Sequence, residues 1–406
     1  MTPIPSWLKG RVPSLLAIAA LLAIIVYGLS FALPRPSLMD YGSFFASGEA
    51  AANGDNPYGV YPLTFHVVLP GFESWNPNLN PPISLPFFEQ FAKLDPHQGF
   101  RLWWAISFAC YGMTVYLLIR RYFPKNGLLP MLWALALAGF WDTLVLGQIY
   151  VPLVLAAVGA WLLLDRNRPI LAGLLIGVVV AVKPNFLVWP ALLFLAGYYR
   201  PVFAAGASAL FLSLIPLFLY GPTVYQQWVE LILNDANRAL FLTNASLSGL
   251  TQRLGSPVMG TVLSVGLLAG LALWVWMRKR RLSALHVSAL GLLGALLASP
   301  IAWVHYTMFL LPVFFVLPLS PLLLASAVLL VAPVPIILGL LNAPWWLQAT
   351  AGSVYGWAVL FCLVALLRQR PIHPWSPSEA PRHSVPEASG QLYGGPSAPS
   401  ATTRLS

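Results

Sequence analysis

The sequence predicts an all-α, polytopic membrane bundle, and three observations predict it. The chain of 406 residues is 58% hydrophobic and only 8% charged, where soluble domains run at about 25% charged. Apolar runs recur at the length a membrane helix needs, about 20 residues. The basic residues fall unevenly between alternate loops, as they do when cytoplasmic loops retain Lys and Arg.

These features also exclude several classes. A net charge of +10 would suggest nucleic acid for a soluble protein. Here it belongs to the membrane topology, and no nucleic-acid partner is expected. Cys110 and Cys362 sit inside apolar runs and read as small buried hydrophobes. No CxxC, HExxH or Walker loop occurs. No metal-ligand spacing is found, so metal independence and no cofactor are expected.

Twelve spans are placed, at residues 13–33, 101–119, 127–145, 148–164, 169–184, 186–199, 201–220, 257–277, 283–299, 303–319, 322–341 and 352–367. The first is long for a signal-peptide core and leads into a polar stretch that reads as integral, so it is taken as an uncleaved span. With both termini cytoplasmic, the inner segments hold Lys9, Arg11, Arg120, Arg121, Lys125, Arg166, Arg168, Arg200, the Arg278–Arg281 cluster and the basic residues of the tail. That is 16 of the 22 Lys and Arg. The outer side keeps Arg35, Lys93, Arg101, Lys183, Arg238 and Arg253. This bias places the chain in the plasma (inner) membrane with N- and C-termini inside. Residues 1–370 form the transmembrane domain. Residues 371–406 turn rich in Pro, Ser, Gly and Ala and read as a disordered cytoplasmic tail.

This topology gathers the unusual polar residues on the outer face, periplasmic or extracellular. The first outer loop, about 34–100, opens with Asp40-Tyr41-Gly42-Ser43 at the start of a predicted surface helix. Asn53-Gly54 supplies a helix stop, and Asn56-Pro57-Tyr58-Gly59 a turn. Ile83–Leu94 reads as a second surface helix. The second large outer loop, about 221–256, carries Arg238, Asn244, Ser246 and Arg253.

Each polar candidate has a chemical and an architectural reading. Asp40 is placed to act as a general base, or, through Ser37-x-x-Asp40, to close a capping box. Lys183, at the outer end of an apolar run, can hold a phosphate as a point charge or snorkel to headgroups. His305 can donate to a phosphate oxygen or sit in an aromatic belt with Trp303 and Tyr306. Arg238 and Arg253 present forks suited to phosphate, or contact lipid headgroups. Asp142 and Gln148 can bind sugar hydroxyls or cap helices. Tyr58 and Trp303 can stack on a sugar or belong to the belt. His66 and His97 lack ligand spacing and are left structural.

Taken together, these segments resemble glycosyltransferase family 87. The matching residues are Asp40-Tyr41 with Gly54-Asp55-Asn56-Pro57-Tyr58, Asn80-Pro81-Pro82, Gly147-Gln148 and Gly173, Gly177, Lys183-Pro184. Asn244-Ala245-Ser246-Leu247 and Ser299-Pro300 with Trp303-Val304-His305 complete the series, in family order over roughly residues 10–365. The resemblance implies an integral-membrane enzyme of the GT-C type. It implies transfer of a hexose, mannose by preference, from a polyprenyl-phosphate donor to a glycolipid or glycan acceptor, with Asp40 as the catalytic base. Lys183, His305 and one of Arg238 or Arg253 would meet the donor phosphate. Tyr58, Asn80, Asp142, Gln148, Asn244, Ser246 and Trp303 would line the substrate site. A transporter or flippase of a lipid-linked or small polar substrate is the competing class. Transporters place ionisable groups near mid-membrane in repeated, broken helices; here they cluster at one face, and no repeat is evident.

Overall fold

A computed structural model describes residues 12–33, 37–69, 72–234, 238–369 and 372. All of these fall in one compact unit, Met1–Pro374. The expected tail lies outside the described residues, apart from Ile372. That residue is buried, and its N–H donates to Nδ1 of His286 at 3.1 Å.

The described chain is predominantly helical. Helix α1, Val12–Ala32, is apolar on all sides, as a lipid-facing span must be. Its 21 residues reach about 31 Å at 1.5 Å per residue, enough to cross the hydrocarbon core. Four further stretches are long and apolar enough to span: Pro96–Tyr122, Tyr199–Tyr220, Pro257–Arg278 and Trp345–Arg368. Leu128–Ala136 and Ala138–Leu146 make a sixth if taken together, with a 43° bend. The bend has a local cause. Leu137 is extended, and the Ala138 N–H donates to the Leu330 carbonyl instead of to its own helix. Several expected spans are shorter apolar helices of 10–17 residues, such as Tyr150–Asp165, Pro169–Val182 and Ala284–Leu297. The expected span 322–341 is broken into Pro321–Leu329 and Val334–Leu338, with Pro333 at the break.

Helix α2, Met39–Asn53, lies in the first loop and stops where expected, at Gly54 with φ 78°. The capping-box reading of Asp40 is corrected here. Leu38 occupies the N-cap without any side-chain cap bond. The second surface helix also forms, as a short turn at Pro82–Ser84 leading into α3, Leu85–Phe91. It presses against α2 so closely that a Cβ at Gly48 would collide with the backbone of Phe88 and Glu89.

One departure from an all-α chain is an antiparallel hairpin, β1 Phe65–Leu69 with β2 Phe72–Asn76, registered Phe65 to Asn76 and Leu69 to Phe72. Its strands are rich in aromatic and β-branched residues and flank a Pro70-Gly71 pair, a hairpin signal that the helical reading of this loop passed over. Ser43 of α2 clips the hairpin down. Its Oγ donates to the Asn76 carbonyl at 2.6 Å and accepts from the Phe65 N–H at 2.9 Å.

Candidate active site

Behind Asp40, the loop and the bundle share an aromatic cluster. Tyr41 meets Phe100 at 5.3 Å between ring centroids, with Phe88 and Phe91 edge-on. Gly147, at φ 70°, fits against the Tyr41 Cβ, where an added Cβ would approach to 2.6 Å. Trp103 donates to the Gly147 carbonyl at 2.9 Å. This packing fixes the start of α2 against the turn that carries Gln148.

In front of it opens a cavity of about 1000 Å³. Asp40 lies on its wall, 5% exposed. One carboxylate oxygen accepts from Nε2 of Gln148 at 2.5 Å; the other accepts from Nδ2 of Asn76. Burial pushes its pKa up to about 6 from the usual 3.8. The Gln148 and Asn76 hydrogen bonds and the Arg238 charge pull it down, while the nearby Asp142 charge pushes it up. A carboxylate tuned this way is ionised at neutral pH yet basic enough to take a proton.

Lys183 ends the helix Pro169–Val182, and its Nζ donates to Oδ1 of Asn80 at 2.7 Å. It also lies 4.5 Å from the Tyr150 ring centroid and 5.7 Å from that of Tyr306. Aromatic faces hold a partly desolvated ammonium this way. The helix reaches this position because Gly173 and Gly177 let it touch Tyr199–Tyr220. A Cβ on either would overlap the Pro201 or Ala205 carbonyl.

His305 is 2% exposed, and its Nδ1 contacts Oδ2 of Asp142 at 3.1 Å. Its Nε2 is buried and has no hydrogen-bond partner, as does Nδ2 of Asn185. Both residues line the cavity. Buried polar atoms are rarely left so; these two lie within the cavity wall, behind its accessible surface. Gly139 sets the His305–Asp142 spacing, one turn before Asp142. A Cβ there would come within 2.6 Å of the Val304 carbonyl and 3.0 Å of the His305 Cα. Gly139→Val is expected to cost about 1–3 kcal/mol through overpacking, read as a lower melting temperature in detergent.

The cavity brings together eight of the twelve residues chosen from sequence: Asp40, Asn80, Asp142, Gln148, Lys183, Arg238, Trp303 and His305. The other four do not line it. Arg253 is occupied by the Ser353 hydroxyl and the Phe241 and Asn244 carbonyls, at 2.6, 2.7 and 3.0 Å. Asn244 accepts from the Ser246 and Ala302 N–H groups and donates to the Pro300 carbonyl, tying two loops together. Ser246 caps the short helix Leu247–Arg253. Tyr58 donates to the Asn80 carbonyl at 3.2 Å, supporting a cavity residue from behind. Sequence reasoning missed Asn76, Tyr150 and Tyr306 as wall residues. Tyr150 and Tyr306 neighbour Gln148 and His305 in the chain; Tyr306 reads only as a belt aromatic, and Tyr150 is not singled out by sequence.

The family model of glycosyltransferase family 87 matches residues 78–300, more than half of the chain. The chain belongs to glycosyltransferase family 87. No curated protein and no solved structure matches it significantly. The match spans Asn80, Asp142, Gln148, Lys183 and Arg238 of this glycosyltransferase's cavity wall. Asp40 lies before its start, and Trp303 and His305 just after its end.

The raised pKa of Asp40 has a consequence for stability. Between about 3.8 and 6 the folded state binds more protons than the unfolded one, so stability falls as pH rises through this window and is flat above it. Thermal melts of wild type and Asp40→Asn are expected to show the wild type losing stability relative to the variant between pH 4 and 7. The loss should be on the order of 3 kcal/mol at most. Parallel pH curves would mean that Asp40 titrates normally.

Proposed function

We propose that this glycosyltransferase moves a hexose, mannose by preference, from a polyprenyl-phosphate donor to a glycolipid or glycan hydroxyl, with inversion. The observation that carries the reading is the composition of one cavity. Its wall holds Asp40, Lys183, Arg238 and His305 among other polar groups, together with many apolar side chains, including Ile24 and Phe31 of α1 and Val331, Val334 and Leu338. A sugar phosphate with an isoprenoid tail combines the same two kinds of surface. In this reading the chain crosses the plasma (inner) membrane about twelve times, with both termini cytoplasmic and the cavity at the outer face.

Asp40 takes the proton of the acceptor hydroxyl as its oxygen attacks the anomeric carbon. The bond from that carbon to the phosphate oxygen breaks, and polyprenyl phosphate leaves with the electron pair. Lys183 meets the charge that develops on the leaving oxygen, where electrostatic stabilisation has most effect. His305 can join it. Asp142 holds the ring at Nδ1, and a small rearrangement of the wall would bring its buried Nε2 to a phosphate oxygen.

The test is transfer by purified protein from synthetic polyprenyl-phosphate-mannose, polyprenyl-phosphate-glucose and nucleotide sugars to a panel of glycolipids, with product linkage read by NMR. Transfer from a lipid donor with an inverted linkage is expected. Use of a nucleotide sugar would overturn the donor class, and a retained linkage would overturn the single displacement.

A further inference from the structure

Arg238 was chosen from sequence as a phosphate ligand, but its geometry points elsewhere. Its Nη1 donates to Oδ1 of Asn76 at 2.5 Å and its Nη2 to the Trp75 carbonyl at 3.0 Å. The fork therefore grips two consecutive residues of β2, and the side chain is 4% exposed. On the other side of Asn76, Nδ2 donates to the Asp40 carboxylate.

The chemistry of these groups fixes their order. A guanidinium can only donate, so the face of the Asn76 amide toward Arg238 must be its oxygen. The amide NH₂ is then forced to the opposite face, toward Asp40. Without Arg238, the Asp40 carboxylate alone selects the NH₂ face, the amide oxygen loses its donor, and the amide is held from one end only. The backbone of Asn76 is already pinned, because its carbonyl accepts from Ser43. What remains to be set is the rotation of the amide, and Arg238 locks it from the side opposite Asp40. Gln148 holds the other Asp40 oxygen. Each oxygen keeps lone-pair capacity for a hydroxyl in the cavity.

We propose that Arg238 is a positioning residue that acts on Asp40 through Asn76, orienting the amide so that the carboxylate is held from both sides and kept ionised. This rests on Asp40 being the base. The other charged or titratable groups around Asp40 are Asp142, Lys183 and Tyr150, with His305 bonded to Asp142. None of them is altered by changes at 76 or 238.

The experiment is the pH profile of kcat/KM for the acceptor, together with KM for polyprenyl-phosphate-mannose, in wild type, Asn76→Ala, Arg238→Met, Arg238→Lys, the double variant and Asp40→Asn. Activity requires the ionised carboxylate, so it rises with pH through the Asp40 pKa. Loss of Arg238 or Asn76 removes a group that favours ionisation, so the rise is expected to move up by about one pH unit. Activity should fall about tenfold at pH 5, below both transitions, and only about twofold at pH 7, with donor KM unchanged. The double variant is expected to shift by less than the sum of the two single shifts, because coupled residues are not additive, and to exceed Asn76→Ala only by the direct effect of the Arg238 charge on Asp40. Arg238→Lys keeps one donor for the amide and should stand between wild type and Arg238→Met. If Arg238→Met does not fold, Arg238→Lys and Asn76→Ala carry the same comparison.

An unmoved profile with a raised donor KM would make Arg238 a phosphate contact and overturn the proposal. Additive losses in the double variant would also overturn it. If Asp40→Asn stays active with the wild-type profile, the base assignment itself falls. If Asp40→Asn is inactive while the profiles of the 76 and 238 variants stay put, only the positioning role falls.

Discussion

Asp40→Ala is expected to reduce sugar transfer by about 10²–10⁴-fold, the range that a positioned general base supplies, while the protein is still recovered from membranes. The expectation comes from what the carboxylate does not do. It caps no helix and forms no direct pair with a cation among the described contacts. Its two oxygens are met by amides from Asn76 and Gln148. Neutral donors hold a carboxylate in place without consuming its charge, and burial keeps its pKa near 6. An architectural acid would gain more from a lysine or arginine directly against it. Transfer rates by purified wild type and variant, with yield and melting curves as controls, decide the matter. A fully active variant would remove Asp40 from the chemistry.

Lys183→Met should have the second-largest effect, a loss of about 10²–10³-fold in kcat/KM for the lipid donor, as when a preorganised electrostatic contact is removed. Lys183 is 9% exposed and has Asn80 and two tyrosine rings as its surroundings. Among the described residues no carboxylate contacts it directly, which leaves the ammonium to an incoming phosphate. Arg at this position is not expected to restore activity, because the planar fork does not fit between Tyr150 and Asn80 as a compact ammonium does. Donor titrations separate this loss from an acceptor defect. An unchanged donor kcat/KM would return Lys183 to the headgroup-contact reading.

What could be read in the sequence depended on whether the signal was local. The surface helix beginning at Asp40 and its stop at Gly54 announce themselves within a few residues, because a C-cap needs a residue tolerant of left-handed backbone. The long spans at Pro96–Tyr122, Tyr199–Tyr220 and Pro257–Arg278 follow from apolar length alone. The short helices Pro169–Val182 and Ala284–Leu297 lie within two residues of the bounds expected for them, 169–184 and 283–299, because their apolar runs are themselves short. The hairpin carried its own local signal and was passed over in a loop dominated by helix-compatible segments. Asn76 was beyond local reading altogether. Its role depends on Asp40, 36 residues before it, and on Arg238, 162 residues after it. Arg253 illustrates the converse. As a residue type it is indistinguishable from Arg238, and only the fold assigns its fork to loop carbonyls.

The partners of Asp40 are spread along the chain, with Gln148 lying 108 residues beyond it. During synthesis, Asp40 is made long before Gln148 and Arg238, and domains form as their segments emerge. A nascent or partly inserted chain therefore holds an acid without the amides that orient it, and without the lysine that meets the leaving group. On the proposed mechanism such a chain transfers no sugar. Catalytic competence would then be a late event in the life of the polypeptide, and turnover would report that these distant segments have come together.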